Sequence, residues 1–190
     1  MIDVRKTVLA LSCVLATGLA ANSAMAADNG TLSFTGEITD TTCDVAVNGG
    51  NADSTIALPR VSTKSLAKAG DVTGRVFVRM SLSNCSLASP ATSSKVHAFW
   101  QAAPEINSSG RLINTATTGA ATNVEIEMLN DTLTSIDLSK PDGQQNSTVA
   151  TITGATGGTA ELTHYAQYHA IGAATAGLLT SKLQYVLSYN

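Results

Sequence analysis

Residues 75–85 read Arg-Val-Phe-Val-Arg-Met-Ser-Leu-Ser-Asn-Cys, the clearest strand pattern in the chain. Every second position on one side is apolar and takes in Val76, Val78, Met80 and Leu82. The positions between them are Arg75, Phe77, Arg79 and Ser81. A period of two is typical of a β-strand with one face buried and the other toward solvent. The stretch therefore predicts a half-buried strand that runs up to Cys85.

Similar short patterns occur on both sides of this stretch. They predict strands over residues 31–47, 54–58, 96–100, 124–128, 149–152, 162–171 and 178–189. Clusters rich in Asn, Gly and Pro separate them, at residues 48–51, 107–110, 140–143 and 154–158. One or two helical turns are expected from Ser62 or Thr63 to Ala69, ended by Gly70. Short strands separated by turns predict an all-β antiparallel sandwich.

The N-terminus is organised like a signal peptide. Arg5 and Lys6 give a positive start, and the apolar run over residues 7–21 is too short to span a bilayer stably. Ala24 and Ala26 supply the small residues that signal peptidase requires. We predict cleavage after Ala26 and export of the mature chain. An N-terminal membrane anchor is the weaker alternative.

Export determines how the cysteines are interpreted. Cys13 belongs to the predicted signal peptide, so the mature chain keeps Cys43 and Cys85. An even pair of cysteines in an oxidising compartment favours a disulfide. Two free thiols, or half of a metal site, are the alternatives, although no second cysteine pair or suitably spaced histidines complete such a site. We predict the disulfide Cys43–Cys85.

The composition and the absent motifs argue against an enzyme and against a nucleic-acid partner. The net charge is −3 and the chain has no basic cluster, which excludes the usual electrostatic footprint on nucleic acid. No G-x-S-x-G, H-E-x-x-H, P-loop or dinucleotide motif is present. His164 and His169 are five residues apart, so on a strand they face opposite sides. Glu125 and Glu127 share one strand face, which we interpret as solvated. We predict no catalytic residue, no metal ligand and no cofactor.

Two strand patterns lie at the ends of the predicted mature chain. The N-terminal pattern places Leu32, Phe34, Gly36 and Ile38 on one face. The C-terminal pattern has five apolar or aromatic residues on one face: Leu179, Leu183, Tyr185, Leu187 and Tyr189. Alternation alone favours ordinary strands of the chain's own domain. Exposed strand edges nevertheless recruit strands from other molecules, so both ends are candidates for intermolecular pairing.

The chain resembles the pilins of chaperone–usher fimbriae, close to the major subunits of type 1-like fimbriae. The stretches that carry the resemblance occur in a fixed order and are residues 30–38 (GTLSFTGEI), Cys43, 82–85 (LSNC), 122–126 (TNVEI) and 165–172 (YAQYHAIG). At the end of the chain, Tyr189 is penultimate and Gly177 is fourteenth from the carboxyl terminus. In this family that ending is the pattern associated with chaperone recognition. The resemblance covers essentially the whole mature chain.

The resemblance implies an incomplete immunoglobulin-like antiparallel β-sandwich with an N-terminal donor-strand extension. The chain would then consist of a signal peptide (1–26), a donor-strand extension (27–38) and a pilin domain (39–190). The fold lacks its final strand, which leaves an apolar groove. A periplasmic chaperone fills the groove by pairing with the C-terminal strand, and at the outer-membrane usher the extension of the next subunit replaces it.

The same resemblance assigns the site residues. The donor face would be formed by Gly30, Leu32, Phe34, Gly36 and Ile38. The C-terminal strand recognised by chaperone and usher would be represented by Gly177, Leu183, Tyr185, Leu187, Tyr189 and Asn190. The chaperone would hold the Asn190 carboxylate through cationic groups.

The implied function is that of a structural subunit of the pilus shaft, used in bacterial adhesion. Its partners would be the chaperone, the usher, other copies of itself and related pilins, and its destination the fimbrium outside the cell. A minor or tip adaptor pilin that binds a host receptor is one alternative. A secreted enzyme with an immunoglobulin-like fold is another.

Overall fold

The computed structural model describes residues 32–33, 42–87, 94–154 and 156–189. By its internal contacts the chain divides into two units, Met1–Glu37 and Ile38–Asn190. The first unit is described only at Leu32 and Ser33, both exposed. All of the secondary structure reported below belongs to the second unit.

The described part of the second unit contains seven strands and one short 3₁₀ helix (Thr63–Leu66). The strands are β1 (Thr42–Val47), β2 (Val72–Ser86), β3 (Ser94–Trp100), β4 (Val124–Leu129), β5 (Val149–Ile152), β6 (Thr156–Ala170) and β7 (Tyr185–Tyr189). One antiparallel sheet has the strand order β1-β2-β6-β4, and a second has the order β5-β3-β7. The predicted all-β antiparallel sandwich is confirmed.

The core lies between the two sheets and follows the alternation of β2 and β6. Met80 of β2 pairs with Leu162 of β6, and both side chains are fully buried. From the other sheet Trp100 reaches the same cluster and meets the ring of His164 edge-on, with 5.2 Å between ring centroids. Phe77, which lies between two residues of the inward-facing apolar series on β2, points to the outer face and is 53% exposed. The strand pattern thus placed the core side of β2 correctly.

The short helix begins as predicted but ends earlier. Ser62 is its N-cap, and the Ser62 hydroxyl accepts a hydrogen bond of 3.2 Å from the backbone N–H of Lys64. Capping of this kind satisfies a backbone donor that has no partner within the helix. The helix stops at Leu66, whose side chain is buried, and does not continue to Ala69.

Two predicted strand segments are wrong. Residues 54–58 form no strand, although Ile56 and Leu58 are half-buried against the core. Residues 178–184 are also irregular, and the final strand begins only at Tyr185. In these segments Ile56, Leu58 and Leu183 contact the core, while the backbone lacks a neighbouring strand in register.

The interpretation of Glu125 and Glu127 as a solvated face is wrong as well. Their side chains are buried, because residues that precede β4 cover this face of the sheet. Arg111 pairs with Glu125 at 2.7 Å between Nε and Oε2, and the amide of Asn107 donates to the other oxygen of Glu125. Gln167 donates to Glu127 at 2.7 Å. Alternation predicted that the two glutamates share a face and gave no information on what covers it.

The predicted opposite orientation of the two histidines on β6 is confirmed. His164 is fully buried in the core, where its Nε2 lies 3.2 Å from the Ser147 hydroxyl. His169 is on the other face, with Nδ1 3.3 Å from Glu127 Oε2. Burial acts to raise the pKa of Glu127, but hydrogen bonds from Gln167 and His169 outweigh it and hold the pKa below its ordinary value.

Candidate functional site

The C-terminal strand β7 lies at the edge of its sheet. It pairs antiparallel with β3, from Trp100↔Tyr185 to Val96↔Tyr189, and with no other strand in the described part of the chain. Tyr185, Leu187 and Tyr189 face the core and remain half-buried. A strand edge with unpaired backbone groups and incompletely covered apolar side chains is a template for another strand.

Two tyrosine hydroxyls connect this edge to the edge strand of the other sheet. Tyr185 donates a hydrogen bond of 3.1 Å to the carbonyl of Ala52, shortly after β1. Tyr189 is hydrogen-bonded through its hydroxyl to the backbone of Cys43, at the start of β1. Burial raises the pKa of both tyrosines. The β7 edge therefore faces the β1 edge on one side of the sandwich.

The predicted disulfide Cys43–Cys85 is confirmed and lies next to this site. It joins the first residues of β1 to the last residues of β2, across 42 positions of sequence. The Cα atoms are 4.1 Å apart, and Cys85 is completely buried. The end of β1 that contacts Tyr189 is thus covalently fixed to the larger sheet.

A polar cluster that the sequence did not indicate holds β7 from its outer side. The Asp142 carboxylate accepts a hydrogen bond of 2.8 Å from the Ser188 hydroxyl, and its other oxygen lies 2.7 Å from His97 Nε2. Burial acts to raise the pKa of Asp142, but the bonds from His97 and Ser188 outweigh it and lower the pKa. His97 and Ser188 are neighbours across the β3–β7 ladder. The only sequence signal was the turn at residues 140–143, whose partner was not evident.

Gly177 lies outside β7, and its surroundings explain why it is a glycine. A Cβ atom at this position would overlap the backbone nitrogen of Ala121 and lie 2.7 Å from the Gly119 carbonyl oxygen. Leu178 donates to that same carbonyl, and Ala121 donates to the Leu178 carbonyl. The segment after β6 is thus packed directly on the backbone that precedes β4.

The remaining predicted site residues are only partly described. Leu183 is half-buried against the core just before β7. Leu32 is 82% exposed. Gly30, Phe34, Gly36, Ile38 and Asn190 lie outside the described residues, as does the predicted signal peptide.

No cluster of three or more His, Cys, Asp or Glu side chains among the described residues has an arrangement suited to a metal ion. No helix in that same part of the chain has the length and apolar character to cross a membrane.

Comparison with known proteins gives consistent matches. Residues 32–190 match the family model described as fimbrial protein. The major fimbrial subunit SMF-1 of Stenotrophomonas maltophilia (strain K279a) is 36% identical over 179 residues, which are 92% of this chain and 98% of that protein. The type-1 fimbrial protein, A chain, of Escherichia coli (strain K12) is 30% identical over 186 residues, 95% of this chain and 97% of that protein.

Solved structures show the same fold. The crystal structure of the P pilus rod subunit PapA superposes with a TM-score of 0.55 at 22% identity, covering 78% of this chain and 99% of that one. A chaperone–usher pilus structure gives a TM-score of 0.53 at 20% identity, covering 85% and 96%. The family model and the two relatives establish that the chain belongs to the fimbrial protein family and that its place is the extracellular fimbrium.

Proposed function

We propose that this chain is a shaft subunit that polymerises by donor-strand exchange. Residues 1–26 are removed on export, residues 27–38 are donated to a neighbouring copy, and residues 39–190 form the body that accepts a strand. The observation that carries the proposal is the edge of β7, which faces β1 and has no second ladder partner among the described strands. The role is structural, without catalysis.

The apolar side chains around this edge support the acceptor role. On the β7 side, Leu183 and Leu187 are half-buried against the core. On the β1 side, Val45 and Ile56 are half-buried against the same core. A strand inserted along β7 would cover both sets and would pair with the free backbone groups of β7. This mode of binding obtains affinity from the ladder and register from the side-chain pockets.

The donor face supplies complementary side chains. Burying Leu32, Phe34 and Ile38 would contribute roughly 5–9 kcal/mol, at about 1.5–3 kcal/mol each. Ladder hydrogen bonds add about 0.5–1.5 kcal/mol apiece before ordering costs. Gly30 and Gly36 suit shallow positions of the groove, where a larger side chain would be excluded. The sum is sufficient for a persistent joint between subunits.

Before assembly the same edge is the binding site for a periplasmic chaperone, which lends a strand to β7 and holds the terminal carboxylate of Asn190. The outer-membrane usher is then the place where the extension of the next subunit replaces the chaperone. The chaperone and the donor strand pair with the same edge of β7, so their binding to one subunit is mutually exclusive.

The test is the substitution Phe34→Asp in the full chain. The variant should be exported and fold, because Phe34 lies outside the body. It should form no fibres by electron microscopy, because a charge cannot enter the apolar groove. Thr35→Asp is the matched control, since Thr35 occupies the opposite face of the donor strand, and it should leave the fibres normal.

A second experiment, with a synthetic peptide, tests whether the groove binds the donor strand. A synthetic peptide of residues 27–41 should raise the melting temperature of the purified Phe34→Asp chain, since a ligand at 100 times its Kd stabilises by about 2.7 kcal/mol. The same peptide carrying Phe34→Asp should have no effect. Normal fibres from the Phe34→Asp chain, or no response to the wild-type peptide, would show that the donor assignment is wrong.

A further inference from the structure

The strand β7 depends on few contacts for its position. It has five residues, and its ladder with β3 is the only one that it makes in the described part of the chain. Its core-facing side chains are only half-buried. A short strand that is paired on one edge opens locally at a small cost in free energy. While the groove is empty, a further contact between β7 and β3 therefore determines how well the strand stays in register.

Asp142 supplies such a contact on the outer face of the sheet. One carboxylate oxygen lies 2.7 Å from His97 Nε2 on β3, and the other accepts a hydrogen bond of 2.8 Å from the Ser188 hydroxyl on β7. His97 and Ser188 are opposite each other in the ladder. One side chain thus bridges the two strands, and its bonds have an ionised acceptor, which makes them stronger than bonds between neutral groups. We call this arrangement the Asp142 bridge.

The Asp142 bridge leaves the groove side of β7 open. Ser188 lies between Leu187 and Tyr189, whose side chains pack against the core. Because successive side chains of a strand point to opposite faces, Ser188 and Asp142 meet on the face away from the core. A strand that pairs along the free edge of β7 therefore meets the backbone and the core-facing side chains of β7, and does not displace Asp142.

The segment that carries Asp142 is fixed to β3 independently of β7. Gln145 is 2% exposed; it accepts a hydrogen bond of 2.9 Å from the backbone N–H of Trp100 and donates one of 2.7 Å to the Trp100 carbonyl. Its amide also donates to the carbonyls of Leu138 and Lys140, at 3.3 Å and 2.9 Å. All of these partners belong to β3 or to the segment itself. The carboxylate is therefore held in place whether or not β7 is docked.

We propose that Asp142 is a positioning residue for strand exchange, which holds β7 against β3 while the groove is empty and so presents a formed edge to the incoming strand. The inference rests on the proposed donor-strand function. Binding begins only on the docked form of β7, so the fraction of empty subunits that can accept a strand depends on the Asp142 bridge. Loss of the bridge slows association with a donor strand. Release starts from the docked form and keeps its rate.

The test uses the purified Phe34→Asp chain and the wild-type peptide of residues 27–41. Adding Asp142→Ala should speed hydrogen exchange of the β7 amides that bond to β3 by about tenfold, because a charge-assisted contact is lost and local opening becomes more frequent. The exchange of β2 amides should stay unchanged. Stopped-flow measurements should show an association rate constant for the peptide that is lowered severalfold, with a dissociation rate constant within about twofold of its original value.

Two further variants control for the charge and for the fold. Asp137→Ala is the matched control, because the Asp137 side chain lies on the same segment and bonds to Ser139 and Lys140 instead of β3 or β7. It should change neither the exchange of β7 nor the association rate. Asp142→Asn should recover most of the original values, since an amide can accept from His97 and donate to the Ser188 hydroxyl.

A variant at the other end of the bridge guards against misfolding. Ser188→Ala removes the bond to β7 and keeps the contact between Asp142 and the buried His97 ring. If Asp142→Ala does not fold, the same measurements on Ser188→Ala decide the question. Faster exchange of β7 amides and slower association with the peptide are expected there too.

The possible outcomes separate this proposal from the donor-strand function. Absence of peptide binding to the Phe34→Asp chain with Asp142 intact would refute the donor-strand function. Normal binding there, with unchanged β7 exchange and association after loss of the bridge, would refute the positioning role alone. Exchange that accelerates equally in β2 and β7 would also refute it, because Asp142 would then support the whole body. Faster release with unchanged association would refute it as well, since Asp142 would then act on the bound strand.

Discussion

At the scale of single residues, His164 combines a titratable ring with full burial in the core, edge-on to Trp100. Burial lowers the pKa of this imidazole to about 4, although the charge of Asp131 partly opposes the shift. In the unfolded chain the ring has its ordinary pKa of about 6.5. The unfolded state therefore takes up a proton at higher pH than the folded state does.

The consequence is a pH-dependent stability. Between about pH 6.5 and pH 4 the unfolded chain binds more protons, so the free energy of unfolding falls as the pH falls. The loss attributable to His164 is on the order of 3 kcal/mol. It is complete near pH 4, where the folded state also becomes protonated. Above about pH 6.5 both states are neutral at this position and the stability no longer changes with pH.

The substitution His164→Phe tests this assignment by urea denaturation at several pH values. The variant loses the Ser147 contact and is expected to be less stable at neutral pH. Its free energy of unfolding should nevertheless fall less steeply than that of the wild type between about pH 6.5 and pH 4. Parallel curves for the two proteins would contradict the assignment.

At the scale of secondary-structure elements, sequence periodicity predicted β2, β3, β4 and β5 well, because each alternates between the core and a second environment. It failed over residues 178–184, where apolar residues touch the core but the backbone bonds irregularly. It also failed at Glu125, because periodicity identifies a shared face and not the residues that cover that face. The order of the strands, and therefore the meeting of the β7 and β1 edges, depends on long-range pairing that no local pattern contains.

The segment between β6 and β7 provides a prediction at this scale. It is held by the close approach of Gly177 to the backbone at residues 119–121, and it carries the chain from one sheet to the start of β7. Gly177→Ala should lower the free energy of unfolding by about 1–3 kcal/mol, the usual cost of overpacking. Thermal or urea denaturation of the purified chain measures the effect.

Gly50→Ala is the matched control for Gly177→Ala. A Cβ atom at Gly50 would meet its nearest neighbours at 3.4 Å, an ordinary contact distance. The control should change the stability little. If Gly177→Ala is as stable as Gly50→Ala and yet lowers chaperone binding, the glycine serves recognition by the partner and its role in packing is refuted.

At the scale of the whole molecule, family membership follows from sequence signals spread over the chain, whereas the meeting of the β7 and β1 edges is seen only in the fold. Tyr185 and Tyr189 were assigned to a recognition strand by resemblance. The structure adds that their hydroxyls bond to Ala52 and to the backbone of Cys43, across the side of the sandwich between the two sheet edges. Asp142 could not be predicted as a partner of β7, because 45 and 46 positions of sequence separate it from His97 and Ser188.

The shaft role predicts the outcome of deleting the gene. Cells that lack this chain should lose their filaments entirely when examined by electron microscopy, because every joint of the shaft requires it. Re-expression of the wild-type chain should restore them. Filaments that persist but no longer adhere to host cells would assign the chain to the tip.

The disulfide also determines how the folded body bears mechanical load. Thr42 is the first described residue of the body that a pull on the N-terminal segment would load, and Cys43 follows it directly. From there the covalent bridge transmits the force to Cys85 on β2, which is flanked by β1 and β6. Stretching therefore cannot peel β1 away one hydrogen bond at a time, because the load passes to β2, which is held by its ladder with β6.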